Sequence, residues 1–248
     1  MQKIPKVFHQ IWLGGKPLPE KFQEFQKTWK FHHPDWEMKM WNEDNINQIP
    51  GLEMTDLELC KNYAEKSDLI RFFIIRWFGG IYIDTDFECL KNIESLMQDI
   101  DCFLSKEKRV NWSSITNSIL GATIQQHFIQ SICDSLPQRL QETSNWWKYK
   151  SCDRIWPYFI EKLYHDCKEK NAITIFPYDF FLPIESMYST GNTLHVNISL
   201  DSAYAIHHYS SSWISPLSMM LRYIWNMPFF GHTLYKKLIQ FKRALKRN

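Results

Sequence analysis

The chain has 248 residues, 44% hydrophobic and 16% aromatic with only 8 glycines, which suits one packed α/β core and excludes a disordered or fibrous protein. Lys and Arg number 29 against 27 for Asp and Glu, and this formal charge of +2 gives no electrostatic footprint for nucleic acid. The six cysteines contain no CxxC pair, which argues for free thiols over a zinc or redox motif, and the short, polar N-terminal run predicts no signal peptide. With no stretch of about eighteen apolar residues either, a soluble, reducing, cytoplasmic setting is expected.

In chain order, Val7 to Trp12 reads as a first strand closed by Gly14, Gly15 and Pro17. Pro19 then opens a helix of roughly fourteen residues with Phe22, Phe25 and Trp29 on one face. Trp36 to Trp41 alternates apolar and charged residues, predicting a second strand and hence a β-α-β opening. In such sheets ligands sit beyond the carboxyl ends of the strands. Leu57 to Phe78 reads as one long helix, apolar all round from Leu69. Gly79 and Gly80 end it, and Ile81 to Ile83 form a buried strand leading to Asp84, Thr85 and Asp86. Strands are predicted at Asp101 to Ser105, Ile115 to Ala122, Ile173 to Phe176 and Ala203 to His207. Helices are predicted at Gln126 to Gln141 and Cys152 to Cys167, and an inserted segment at Glu142 to Tyr149.

Asp84 and Asp86 stand at i and i+2, so an extended chain points both carboxylates to one side. Two adjacent carboxylates repel unless a cation joins them, and Mn²⁺ or Mg²⁺ shared with a diphosphate resolves that repulsion. A solvated turn carrying two acids is the alternative. Asp68 and Arg71 share a face of the buried part of the long helix. They suit a mutual ion pair, or contacts to sugar hydroxyls and phosphate, and the two readings are compatible.

The segments IPKVFHQIWLGG, KSDLIRFFIIRWFGGIYIDTD, TNSILGA and HHYSSSW resemble, in order and spacing, the DXD-containing sugar-transferase family. That family includes yeast outer-chain mannosyltransferases, bacterial capsule enzymes and glucosylating toxin domains. The resemblance implies a GT-A type, Rossmann-like nucleotide-sugar-binding fold with a mixed central sheet flanked by helices. It further implies retaining transfer from a nucleotide-diphosphate sugar, UDP-hexose being favoured and GDP-mannose the alternative. By the same resemblance Trp12 stacks on the base, or is a core tryptophan. Asp68 and Arg71 contact the donor's ribose and sugar, Asp84 reaches ribose, sugar or metal, and Asp86 ligates the metal. Asn117 lies near the transferred sugar, or is a strand-edge residue bonded to backbone. His208 is similar in position to a third metal ligand, where the toxins carry an acid, and Ser211 and Trp213 close over the diphosphate.

The resemblance ends near residue 213, dividing the chain into a catalytic domain at 1–215 and a tail at 216–248. Beyond Asp201 there is no acid, while Leu234, Leu238, Phe241 and Leu245 form a stripe flanked by lysines. That pattern suits the cytoplasmic face of an anionic membrane with a glycan or lipid-linked glycan acceptor; a docked C-terminal helix is the other reading. Rival functions are a DxD-type phosphohydrolase, for which the C-terminal half offers only isolated acids, and a nucleotide-sugar-binding module without turnover.

Overall fold

Residues 3–109, 112–143, 158–184 and 200–210 are described in a computed structural model of the chain. The expected opening forms as β1 (Val7–Ile11), α1 (Glu20–His32) and β2 (Glu37–Trp41), with the two strands paired in parallel. Pro19 occupies the N-cap position of α1, and Phe22, Phe25 and Trp29 are its buried residues, as their spacing dictates.

The predicted long helix is two helices, α2 (Met54–Glu58) and α3 (Tyr63–Phe78). Asn62 causes the break: its side chain accepts from the Glu65 amide at 3.0 Å, and Glu65 Oε2 accepts from the Lys61 amide at 2.7 Å. This reciprocal cap starts a helix afresh where hydrophobic periodicity alone would continue one. Every residue of α3 from Leu69 to Ile75 is buried, the charged Arg71 included.

Gly79 and Gly80 turn the chain into β3 (Gly80–Ile83) at φ of 61° and 84°. A Cβ on Gly80 would lie 2.6 Å from Val7 Cγ1 and 2.7 Å from the Val7 carbonyl, so only glycine lets β3 lie this close to β1.

Six strands form the main sheet, in the order β2-β1-β3-β6-β5-β7, with β5 (Cys102–Arg109), β6 (Trp112–Ala122) and β7 (Ile173–Phe176) completing it. β6 runs antiparallel to both neighbours and the other pairings are parallel, so the sheet is mixed. β5 and β6 run longer than predicted. Between them the register jumps: Leu104 pairs with Leu120 but Ser105 with Thr116, leaving Asn117 to Ile119 bulged out of the pairing with β5.

One face of the sheet packs on α3, α4 (His127–Glu142) and α5 (Tyr158–Asp166) through residues such as Ile70, Leu104, Ile132 and Ile160. The other packs on Trp29, Phe87, Phe181 and Ala205. Those last residues introduce two elements absent from the expectations, β4 (Phe87–Cys89) and α6 (Tyr178–Phe181). β4 pairs with β8 (Ala205–His207) as a separate two-stranded ribbon. The N-terminal part of the predicted Cys152 to Cys167 helix, most of the Glu142 to Tyr149 segment and the whole 216–248 tail lie outside the described residues. Among the described residues the five cysteines are free thiols, and no helix is long and apolar enough to cross a membrane.

Candidate active site

β3 delivers the chain to Asp84 at the carboxyl edge of the sheet. There the Asp84 amide donates to the Ser118 carbonyl at 2.9 Å, and the Phe87 amide closes a turn on the Asp84 carbonyl at 3.2 Å. The expectation of an extended Asp84 to Asp86 segment is therefore corrected: a turn, not strand alternation, brings the two carboxylates together. Gln10 supports this turn by donating to the Asp84 carbonyl at 3.4 Å, and Gln26 donates to Gln10 at 2.7 Å.

The third group at this turn is His207, not the expected His208. His207 Nε2 lies 3.0 Å from Asp86 Oδ1 and 3.8 Å from Asp84 Oδ2. The β4–β8 register pairs His207 with Phe87, and the two rings stack at 4.4 Å and 4°. The next side chain is thereby aimed elsewhere: His208 Nε2 sits 2.9 Å from Glu88 Oε2, and its ring stacks on Phe25 at 4.4 Å. The His208 amide still helps the site, donating to the Asp86 carbonyl at 3.0 Å. Candidate ligand atoms of Asp84, Asp86 and His207 all lie within 4.8 Å of one another. Two carboxylates and an imidazole at this separation are a donor set that suits Mn²⁺, and less closely Mg²⁺.

The electrostatics of the two acids differ. Burial raises the Asp86 pKa, but His207 and the amide of Ser210, which donates to Oδ2 at 2.7 Å, outweigh it and hold the group at about 2. Asp84 is shifted upward, mainly by burial, despite the opposing charges of Arg71 and His207. His207 is itself shifted upward, because Asp86 and Asp84 outweigh the effect of its burial. The turn thus holds Asp86 in its ionised form, with His207 and the Ser210 amide stabilising the carboxylate.

Arg71 links the acids to α3. Its guanidinium donates to the Asn117 carbonyl at 2.5 Å, pairs with Asp68 at 2.8 Å and Asp84 at 3.3 Å, and lies 4.4 Å from the centre of the Tyr82 ring. Tyr82 in turn donates its hydroxyl to Asp84 Oδ1 at 2.6 Å. Asn117 Nδ2 donates to Asp68 Oδ1 at 2.9 Å, so the β6 bulge gives its carbonyl to Arg71 and its amide to Asp68. Burial raises the Asp68 pKa to about 6 against the opposing pull of Arg71. Of the two readings of the Asp68–Arg71 pair, the structure shows the interior ion pair, and Arg71 also faces Asp84 of the aspartate turn.

Trp12 follows β1, which is parallel and adjacent to β3, so it leaves the same edge of the sheet as Asp84. Its indole is half-buried, donates to the Lys16 carbonyl at 2.8 Å and meets Phe22 edge-on at 5.7 Å. Ser211 and Trp213 lie outside the described residues. Sequence reasoning missed Tyr82, Gln10 and His207. The alternation of Tyr82 with Asp84 was a usable signal for the first; nothing in the sequence distinguished His207 from His208.

Residues 19–103, from α1 to the start of β5, match the model of the glycosyltransferase sugar-binding region containing the DXD motif. Inositol phosphoceramide mannosyltransferase 3 of Schizosaccharomyces pombe is 27% identical over 139 residues, covering 54% of this chain and 38% of that protein. A mannosyl phosphorylinositol ceramide synthase of Saccharomyces cerevisiae is 28% identical over 139 residues, covering 54% of this chain and 35% of its own length. The chain therefore spans well under two thirds of these relatives. Among solved structures, the PaToxG glycosyltransferase superposes with a TM-score of 0.52 at 16% identity over 66% of this chain and 70% of that one. The ligand-free glycosyltransferase domain of the YGT toxin gives 0.52 at 10% identity over 96% and 89%. At such identities the likeness is one of fold, and the fold is of the GT-A type.

Proposed function

We propose that the protein is a metal-dependent, retaining glycosyltransferase that moves a hexose from a nucleotide-diphosphate sugar to a glycan or lipid-linked glycan acceptor, in surface polysaccharide or glycoconjugate assembly. The observation that carries this reading is the convergence of Asp84, Asp86 and His207 within 4.8 Å at the carboxyl edge of the sheet, where α/β folds bind ligands. A divalent ion held by these three side chains would neutralise charge growing on the departing nucleotide. Arg71, fixed from three sides, adds a preorganised positive charge beside the same turn without reorganising during reaction. Asp68 and Asn117, already bonded to each other, offer oxygen and amide groups to sugar hydroxyls. No protein nucleophile is assigned: the leaving phosphate takes the proton of the attacking acceptor hydroxyl on the same face, and the anomeric configuration is kept. Trp12, Ser211 and Trp213 are proposed to enclose base and diphosphate.

UDP-hexose is the donor of first choice from the sequence, while the mannosyltransferase names of the yeast relatives favour the alternative, GDP-mannose. Those names also speak for a lipid-borne acceptor, consistent with a peripheral position on the cytoplasmic face of a membrane. Against a phosphohydrolase, Asp84 Oδ1 is engaged by Tyr82 at 2.6 Å and faces Arg71 at 3.3 Å, a poor setting for a free nucleophile. A panel of UDP- and GDP-sugars, scored for nucleoside diphosphate release with and without Mn²⁺, tests the reading. Release from one base class only when metal is present is expected. Binding without release throughout would point to the module lacking turnover, and neither binding nor release would overturn the proposal.

A further inference from the structure

The strand that delivers His207 does not run on regularly. In the β4–β8 register Phe87 pairs with His207, so the His208 amide continues the ladder onto the Asp86 carbonyl at 3.0 Å. Continued in the same way, the Ser210 amide would face Asp84, about 7 Å further along the partner strand. It donates instead to Asp86 Oδ2 at 2.7 Å. Tyr209 makes the difference: its φ of 47° lies in the left-handed region and turns the chain back onto the same aspartate.

Left-handed backbone is uncommon for a bulky side chain and persists only where the surroundings hold it. Of the non-glycine residues with positive φ among the described residues, Asp99 and Gln125 lie in turns, whereas Tyr209 follows a strand. Its ring supplies the hold. The ring centroid lies 4.2 Å from that of the His207 imidazole at 43°, and Tyr209 packs against the core cluster that contains Phe87 and Ala205. His207 is thus gripped by two rings, Phe87 and Tyr209, while its Nε2 stays 3.0 Å from Asp86 Oδ1. One residue accordingly sets both groups that meet the Asp86 carboxylate, the imidazole through its side chain and the Ser210 amide through its backbone.

We propose that Tyr209 is a positioning residue of the aspartate turn. Its ring fixes the His207 imidazole, and its left-handed backbone fixes the Ser210 amide on Asp86, so the turn is shaped for a divalent cation before one binds. The amide on Oδ2 leaves Oδ1 facing His207 Nε2. Glycine would reach the same φ at less cost but would give up the ring, so tyrosine here exchanges backbone ease for the aromatic contact. Groups that orient metal ligands in this way act on metal affinity without touching the ion. The inference rests on the metal-dependent reading and deepens it, adding a residue outside the matched 19–103 region.

The test is Mn²⁺ titration of the full chain by electron paramagnetic resonance for wild type, Tyr209→Phe, Tyr209→Gly and Tyr209→Ala, with thermal midpoints recorded alongside. Tyr209→Phe keeps the ring and is expected to bind close to wild type. Tyr209→Ala loses the ring and still disfavours the left-handed region, so its Mn²⁺ affinity falls about 10-fold or more. Tyr209→Gly loses the ring but adopts that backbone freely, which places its affinity between the other two and the spectrum of its bound ion nearer to wild type. A ring needed only for packing would lower the thermal midpoints and leave Mn²⁺ affinity equal in every folded variant, and that result overturns the inference alone. Tyr209→Gly binding no more tightly than Tyr209→Ala would overturn it as well. Where Tyr209→Ala fails to fold, the comparison of Phe with Gly decides, and equal affinity of those two overturns the inference. A wild type that binds no Mn²⁺ would overturn it together with the metal-dependent reading.

Discussion

His207 and His208 are adjacent in sequence and separate in role, and substitution distinguishes them. His207→Ala removes the imidazole beside Asp86 and is expected to weaken Mn²⁺ binding by about 10-fold or more, by analogy with the loss of supporting metal-site groups. His208→Ala removes a contact with Glu88 and Phe25 and should change Mn²⁺ affinity by no more than a few-fold. The reverse order, read by calorimetric metal titration, would reassign the ligand. A second histidine predicts a pH dependence of stability. His9 lies between the Gly79 carbonyl, 3.1 Å from Nε2, and Trp41, whose indole donates to Nδ1 at 3.1 Å. Burial, helped by Lys39, lowers its pKa from 6.5 to about 4. The unfolded chain takes up the proton first as pH falls, so the stability from neutral His9 is fully present above 6.5 and is lost as pH approaches 4. The loss amounts to about 3 kcal/mol. Urea midpoints measured from pH 7 to 4 should decline less steeply for His9→Gln than for wild type; equal slopes would remove the effect from this residue.

At the scale of elements, the turn from α3 into β3 positions the aspartates, and glycine is required there for contact as well as conformation. Gly80→Ala adds a methyl 2.6 Å from Val7 Cγ1 at a φ of 84°. A loss of about 2–5 kcal/mol by chemical denaturation is expected, and a variant within 1 kcal/mol of wild type would contradict the packing described. Asn62→Ala removes the cap that separates α2 from α3 and should cost about 1 kcal/mol. These elements also mark how far the sequence could be read. The β-α-β opening was legible because Phe22, Phe25 and Trp29 repeat at helical spacing and Gly and Pro bound the strands. The break at Asn62 was not, because apolar residues continue through Leu57, Leu59 and Cys60 towards α3, and the division is made by a side-chain cap with no Gly or Pro to mark it. β4 escaped notice because three residues show no periodicity, and its existence depends on β8 more than 100 positions later.

For the molecule as a whole, the site gathers groups from distant stretches: Asp68 and Arg71 from α3, Asp84 and Asp86 after β3, Asn117 from the β6 bulge and His207 from β8. The first four were legible because they lie close in sequence and their charges interrupt an apolar run. Asn117 was suggested only by resemblance, and its double role depends on a register jump that no local pattern encodes. The division into residues 1–215 and 216–248 remains an expectation, as does the membrane role of the basic tail. Flotation with anionic vesicles tests the latter: the full chain should float at low salt and be released as salt rises, and a chain that stays with the soluble fraction at every salt concentration would leave the tail a docked helix.

The most direct test of the central claim is a Mn²⁺ titration followed by electron paramagnetic resonance, for wild type and for Asp84→Asn and Asp86→Asn, each checked for folding by circular dichroism. A single bound ion in wild type, tightened by nucleoside diphosphate and weakened at least 10-fold in Asp86→Asn, is the predicted result. Equal Mn²⁺ binding in wild type and both folded variants, or no binding in wild type, would contradict it.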